Sequence, residues 1–267
     1  MFKNKLRRNH LCLGTSISLA DPAVTEALCG ICDFVWIDME HTTLSLESVR
    51  AHVMATKGSE TATLVRVPWN SPVLIKPVLD LGANGVIVPM VRSAEEAAAA
   101  VSACRYPPLG IRGFGPLRAS NYGRVKARDF CEESDRTLMT VIQIEHIEAV
   151  ENLDSILKVP GVQDIMIGPS DLAASMGHLG DTDHPDVVRA MEAVVQKACA
   201  ADVNVGLATG TDPAAIAAWA QKGVRWFALL NDVMLLLQTV HDCVGLIRTS
   251  VSSESRAGRE RTTRNSR

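Results

Sequence analysis

Two carboxylates, an aspartate–histidine pair and an arginine stand in this sequence where short apolar runs end. Thr140-Val-Ile-Gln-Ile-Glu145 closes on one acid, and Asp164-Ile-Met-Ile-Gly-Pro-Ser-Asp171 closes on the other. A helix-length amphipathic segment separates them, which is the outline of a β-α-β unit with an acid at the tip of each strand. Side chains alternate along a strand, so Val141, Gln143 and Glu145 share one face while Ile142 and Ile144 take the other. In a sheet covered on both faces a carboxylate at Glu145 needs a partner. A divalent cation shared with Asp171 would supply it; capping of the helix that follows is the plainer alternative.

A second group lies earlier in the chain. Asp38 shares its strand face with Phe34 and Trp36, and His41 follows three residues later, close enough to fold back onto it. A carboxylate on one imidazole nitrogen fixes the tautomer and raises the basicity of the other, which is how a general base is built. Standing alone, His41 would be read as a surface loop histidine. Glu40, between them, reads as a loop carboxylate facing water or a subunit contact. Arg66, in Thr63-Leu-Val-Arg-Val67, alternates with Leu64 and points to the same interior. A guanidinium there needs an anion or a developing oxyanion, or else an ion pair with Glu145 or Asp38. Gly168-Pro-Ser-Asp171 reads as a turn into a short helix near Leu172, whose backbone N–H groups could hold a small carboxylate.

The elements that must position these residues alternate regularly. Strands are expected over residues 11–17, 34–38, 63–67, 85–89, 140–145, 164–167, 203–208 and 224–230, with helical segments between them and a last apolar helix over 233–251. Asp21-Pro22 and Asp212-Pro213 are helix starts, and Ser93 caps a run of alanines. Pro77 should bend its helix or move its boundary. Residues 106–137, rich in Gly, Pro and Arg, read as one long irregular stretch, and such loops are usually functional. Eight alternations predict an α/β fold, a (β/α)8 TIM barrel in a single domain over residues 11–251. A basic leader (1–10) would precede it and a disordered tail (252–267) follow it. The active site of such a barrel lies at the C-terminal ends of the strands, and the strand-borne charges gather at that rim.

Composition excludes several classes. The chain has 267 residues, 47% of them hydrophobic, enough for a large core and against a disordered protein. A net charge of −3 gives no reason to expect nucleic acid as a partner. No apolar run approaches the ~18 residues of a membrane span. The leader lacks the apolar region of an export signal, so a cytoplasmic protein is expected, a very short mitochondrial presequence being the alternative. Seven cysteines without an export signal imply reduced thiols, and Cys29-Gly-Ile-Cys32 is a weak redox signal.

Taken together, Ile37-Asp-Met-Glu-His41, Val65-Arg-Val-Pro68, Tyr106-Pro-Pro-Leu-Gly-Ile-Arg-Gly113, Gln143-Ile-Glu145 and Ile167-Gly-Pro-Ser-Asp-Leu172 resemble the HpcH/HpaI aldolase family, metal-dependent (class II) pyruvate aldolases. The similarity runs from about Leu13 to Val240. It implies a carbon–carbon lyase that cleaves a 4-hydroxy-2-oxo acid to pyruvate and an aldehyde. Glu145 and Asp171 would be ligands of Mg2+, Mn2+ or Co2+, Gln143 would lie beside the metal, and Arg66 would hold the pyruvate oxygen. His41 with Asp38 would be the catalytic dyad, removing the 4-hydroxyl proton, and the Ser170 and Asp171 amides would take the pyruvate carboxylate. Leu207 and Arg118 are counted with the substrate side, Arg118 as a distal polar group. No lysine stands at a strand's end, and none is needed as a Schiff base. Met39, where many members have a small residue, and a loop after Gly115 about two residues short depart from the pattern. Asp33-Phe-Val-Trp-Ile-Asp38 is also reminiscent of macrophomate synthase, which makes oxaloacetate decarboxylation with enolate addition the second reading and a non-catalytic relic the third. The resemblance further implies a homo-oligomer, a hexamer built as a trimer of dimers, with the apolar last helix as interface or, alternatively, buried in its own helix ring.

Overall fold

The computed structural model describes residues 2–264, with side chains described through residue 251. Among them eight parallel strands close into a barrel in chain order, each paired with its sequence neighbours and the last with the first. Around it the chain runs α1 (Phe2–Arg7), β1 (Cys12–Ile17), α2 (Ala23–Leu28), β2 (Phe34–Asp38), α3 (Leu46–Ala55) and β3 (Ala62–Arg66). Then come α4 (Pro72–Asp80), β4 (Gly85–Val88), α5 (Ala94–Cys104), α6 (Ala127–Thr137), β5 (Met139–Ile144), α7 (Ile147–Glu151) and α8 (Leu153–Ile156). The circuit ends with β6 (Asp164–Ile167), α9 (Pro169–Ser175), α10 (Pro185–Ala200), β7 (Asn204–Thr209), α11 (Pro213–Lys222), β8 (Trp226–Asn231) and α12 (Asp232–Arg264).

The two-residue period of the strands divides the core as expected. Phe34, Trp36, Leu64, Ile87, Val141, Met166 and Trp226 fill the barrel, and Val35, Ile37, Val65, Ile142, Ile144 and Ile165 pack outward against the helices. Ser45 and Ser93 cap α3 and α5 by accepting the N–H groups of Ser48 and Glu96, and Asp212 caps α11. The helix α4 continues past Pro77 to Asp80, and the carbonyl that the missing donor leaves unpaired belongs to the exposed Val73.

Three expectations need correction. The leader is part of the barrel: α1 sets Phe2 and Leu6 into its bottom, with Phe2 4.9 Å from the Phe34 ring and 5.8 Å from Trp226. Lys3 Nζ donates to the Leu138 carbonyl and Lys5 pairs with Asp33 at 2.7 Å, so the basic residues fasten the plug. The stretch 106–137 is irregular only as far as residue 126, its first two thirds. The remainder is α6, which buries no residue and so carried no core-facing pattern. Finally, α12 continues past Val251 to Arg264, so the expected tail is helical up to there; residues 265–267 lie outside the described residues. Met234, Leu236, Leu237, Val240, Leu246 and Ile247 on α12 are all exposed, so the described barrel does not cover them. No helix among the described residues is long and apolar enough to cross a membrane.

If α1 is a plug, Phe2→Ala should destabilise the protein by about 3–5 kcal/mol, the usual cost of emptying a buried aromatic site. Urea denaturation measures this, and a loss below about 0.5 kcal/mol would mean the helix merely rests on the surface.

Candidate active site

Asp38 ends β2, Arg66 ends β3, and the parallel register sets them side by side. Both point into the barrel and both are buried. Arg66 Nε donates to Asp38 Oδ1 at 2.8 Å and Nη2 to Oδ2 at 2.6 Å, a two-pronged pair. Nη1 lies 3.0 Å from Glu40 Oε2, and the guanidinium rests 4.8 Å above the Trp36 ring. Two of its five N–H groups are thereby hydrogen-bonded, both to Asp38, while Glu40 is held as an ion pair without hydrogen-bond geometry, so N–H groups remain unused. Burial alone would push the Asp38 carboxyl up, but the hydrogen bonds and charge of Arg66 outweigh it and hold the group below its ordinary range. Burial likewise pulls Arg66 down, and Asp38, Glu40 and Glu145 together more than restore it.

This arrangement alters the expected aspartate–histidine pair. The Asp38 carboxylate is spent on Arg66 and on the backbone N–H groups of Glu40 (3.0 Å) and His41 (3.5 Å). The His41 imidazole stands at the rim, its side chain 61% exposed, and its recorded carboxylate contact is Glu40, with Nε2 3.8 Å from Oε2. Glu40 in turn is no water-facing loop residue: its side chain is 14% exposed and is held by Arg66. The physical reason is distance. A cross-strand neighbour in register reaches Asp38 more directly than a residue that must fold back over a turn.

The two acids of the opposite half follow β5 and β6, and the end of β4 supplies a backbone donor between them and the rest of the rim. Glu145 follows β5 and is almost fully buried. Its Oε1 accepts the Met90 N–H at 2.7 Å from the end of β4, and its Oε2 accepts from Gln143 Nε2. Met90 makes that bond from the left-handed region, at φ 55°. Gly168, which follows β6, admits the pair: a Cβ there would lie 2.8 Å from Glu145 Oε2 and 3.0 Å from Gln143 Nε2. Asp171 sits in the first turn of α9, which starts at Pro169, earlier than the Leu172 expected.

Like charges crowd here. Burial, reinforced by Glu40 and Asp171 and opposed by the Met90 N–H and Arg66, pushes the Glu145 carboxyl up to about 7. Burial also lifts Glu40 to about 6, with Arg66 opposing and Asp38 and Asp171 adding to the rise. The mouth is therefore short of positive charge. Gln143 Oε1 is buried with no hydrogen-bond partner among the described residues. Two carboxylates and an unpartnered amide oxygen form an all-oxygen donor set, and they fit a hard divalent cation.

The remaining expected site residues fall elsewhere. Ser170 is exposed beside Asp171, as a mouth residue would be. Leu207 is buried in the layer between β7 and the helices, facing away from the barrel interior. Arg118 closes helix ends at the opposite rim, donating to the carbonyls of Leu81 (2.5 Å) and Val53 (3.2 Å). There it lines a cavity of about 880 Å³ together with Phe2, Lys3 and Arg112. Asp164 also lies at that lower rim, buried and bonded to Asn204 Nδ2 at 2.8 Å, so the strand-borne charges do not all gather at the mouth. Met90 went unpredicted because a backbone donor has no residue-type signal.

A closed eight-stranded α/β barrel with an anchored guanidinium and clustered acids at the C-terminal strand ends is the arrangement of an enzyme active site. Residues 16–236 match the HpcH/HpaI aldolase/citrate lyase family. The chain is 38% identical over 251 residues to a hydroxypyruvate/pyruvate aldolase of Roseovarius nubinhibens, covering 93% of this chain and 96% of that one. It is 39% identical over 230 residues to a 5-keto-4-deoxy-D-glucarate aldolase of Salmonella paratyphi C, covering 85% and 87%. Among solved structures, a family protein from Burkholderia cenocepacia superposes with a TM-score of 0.86 at 33% identity, covering 92% of this chain and 98% of that one. Macrophomate synthase superposes at 0.80 with 27% identity, covering 94% and 89%. The chain belongs to the HpcH/HpaI aldolase/citrate lyase family, and so to the carbon–carbon lyases.

The Asp38–Arg66 pair has a pH signature. A carboxyl held below its unfolded value adds stability above that value and loses it as pH falls through the folded one. Asp38→Asn should therefore cost about 3 kcal/mol at pH 7, with the difference from wild type shrinking below about pH 4. Denaturant titrations at pH 7 and pH 3 check this; a pH-independent difference would contradict it.

Proposed function

We propose that the barrel mouth carries out divalent-metal-dependent cleavage of a 4-hydroxy-2-oxo acid to pyruvate and an aldehyde, and the reverse addition. The observation that carries this reading is Arg66, hydrogen-bonded to Asp38 and ion-paired with Glu40 with N–H groups to spare, within electrostatic reach of Glu145. The names of the relatives, a hydroxypyruvate/pyruvate aldolase and a keto-sugar-acid aldolase, support the same substrate class.

Glu145 and Asp171 would hold the cation, with Gln143 Oε1 beside it, and Mg2+, Mn2+ or Co2+ suit these oxygens. When bound, the cation acts as a Lewis acid that polarises the 2-oxo group. The free N–H groups of Arg66 face the oxygen on which negative charge collects as the C3–C4 bond breaks, so they hold the enolate more strongly than the ketone. Asp38 and Glu40 keep that guanidinium from turning. The Ser170 and Asp171 N–H groups receive the substrate carboxylate. His41, exposed at the rim with Glu40 behind it, takes the 4-hydroxyl proton as the C3–C4 electrons pass into the enolate, and the aldehyde leaves.

The likeness to macrophomate synthase supports a second reading, decarboxylation of oxaloacetate at the same centre, since that too ends in an enolate. A relic without activity is hard to reconcile with so complete a set of partners around Arg66 and Glu145. The same proposal makes the chain a homo-oligomer, because the apolar face of α12 is uncovered by its own barrel; the expected hexamer can be read from mass in solution.

EDTA should abolish activity and Mn2+ or Mg2+ restore it, while borohydride with pyruvate leaves the enzyme active. A lysine trapped covalently by borohydride would contradict the metal-dependent reading. His41→Ala should lose most aldol cleavage, about 10²-fold or more, yet keep oxaloacetate decarboxylation, because losing CO2 needs no proton abstraction. Glu145→Ala should lose both. The pair of rates at saturating Mn2+ decides it, and equal loss of both in His41→Ala would place that histidine on the pyruvate side.

A further inference from the structure

The connection between β6 and α10 carries, beyond Asp171, a second cluster of ligating side chains that the proposed reaction does not use. His178, His184 and Asp186 offer ligand atoms that all lie within 4.8 Å of one another. His178 Nε2 is 3.7 Å and His184 Nδ1 3.8 Å from the same atom, Asp186 Oδ2. The two imidazoles are stacked, with ring centroids 3.5 Å apart and planes inclined by 15°.

The backbone holds the three residues in place. His184 is the N-cap of α10, its Nδ1 accepting the Asp186 N–H at 3.2 Å, and Pro185 occupies the first helical position. The His178 N–H donates to the Ala173 carbonyl at 2.8 Å, and the Asp181 N–H donates to the His178 carbonyl at 2.9 Å. The loop between the histidines is thus tied at both ends. Both imidazoles remain partly open to solvent, with side chains 27% and 32% exposed.

We propose that His178, His184 and Asp186 bind a divalent transition-metal ion of borderline softness, Zn2+, Ni2+ or Cu2+, at a site separate from the mouth. Two imidazoles and one carboxylate form the donor set such ions prefer, whereas the all-oxygen mouth suits Mg2+ or Mn2+. Bonds of about 2.0–2.1 Å in a tetrahedron set ligand atoms roughly 3.3 Å apart, so the 3.7 and 3.8 Å to Asp186 Oδ2 need close by only a few tenths of an ångström, while the two ring nitrogens, within 4.8 Å of each other, draw together as a ring turns. An ion lies in the plane of each ring it binds, so one ring turns out of the stack about its Cβ–Cγ bond, which its exposure permits. The ion replaces the Asp186 N–H at His184 Nδ1 and binds Asp186 Oδ2, while Arg189 holds the other carboxylate oxygen, Oδ1. Water fills the fourth position. The bound ion would pin the start of α10 to the loop that follows α9, the helix that carries Asp171 in its first turn.

The test uses the full chain, stripped of metal, with Glu145→Gln and Asp171→Asn to silence the mouth. One equivalent of Cu2+ should give an electron paramagnetic resonance spectrum with hyperfine coupling to two imidazole nitrogens, a signature the mouth cannot produce. Calorimetry with Zn2+ should show one site, weakened about 100-fold by His178→Ala. His184→Asn, which keeps a side-chain acceptor for the helix cap, should weaken it similarly with α10 intact by circular dichroism. In the mouth-silenced chain, Zn2+ should raise the melting temperature and His178→Ala should remove that rise, and in the chain with its mouth intact His178→Ala should keep cleavage with Mg2+. A spectrum with one nitrogen or none, or Zn2+ affinity unchanged by His178→Ala, would overturn the proposal.

Discussion

A guanidinium buried at the end of a barrel strand is the constraint on which the rest of this site depends. Removing such a charge from water costs several kcal/mol unless its donors are met by anions in good geometry. Arg66 meets that requirement with Asp38 in register on β2 and with Glu40 on the turn that follows, while Trp36 supplies an aromatic floor. The strand pairing of the barrel fixes the distance between Asp38 and Arg66, so the fold itself aims the unused N–H groups. The aromatic plug of Phe2, Phe34 and Trp226 beneath closes the barrel from below.

The acidic half answers the same electrostatics from the other side. Glu40, Glu145 and Asp171 stand near one arginine, and the upward shifts of Glu40 and Glu145 record the imbalance. Gly168 lets the Glu145 and Gln143 side chains approach the end of β6, and the strained Met90 backbone gives Glu145 a fixed donor. Chemistry that develops negative charge on a substrate oxygen gains from such a place once a cation balances the acids. Strain and unbalanced charge thus gather at the strand ends, where the barrel rather than local preference holds them.

The barrel and the inward face of each strand were legible because period-two patterning survives in Phe34, Trp36 and Asp38 and again in Val141, Gln143 and Glu145. The partners were less so. Sequence proximity suggested His41 for Asp38; the ion pair of Arg66 with Asp38 stood only as an alternative beside one with Glu145, because no local pattern encodes the register between strands that selects it. Arg118 and Leu207 were placed by likeness to a family; the first closes helix ends at the far rim and the second faces the helices. The first ten residues looked like a leader because Lys and Arg outnumber the apolar pair, Phe2 and Leu6, that does the packing. The His178–His184 stack was invisible for a different reason: six positions apart on a loop, two histidines share no periodicity that would announce contact.

The central claim is that Asp38 acts on the reaction through Arg66 rather than through His41. A double-mutant cycle tests it directly, using Asp38→Asn, Arg66→Lys and the double variant, each confirmed folded and saturated with Mn2+. The rate to follow is exchange of the pyruvate methyl protons with D2O by nuclear magnetic resonance, which reports enolate formation without an aldehyde. Each single variant should slow exchange about 10²-fold or more, and the double variant should be no slower than the worse single one. Losses that multiply, or normal exchange in Asp38→Asn, would contradict the account.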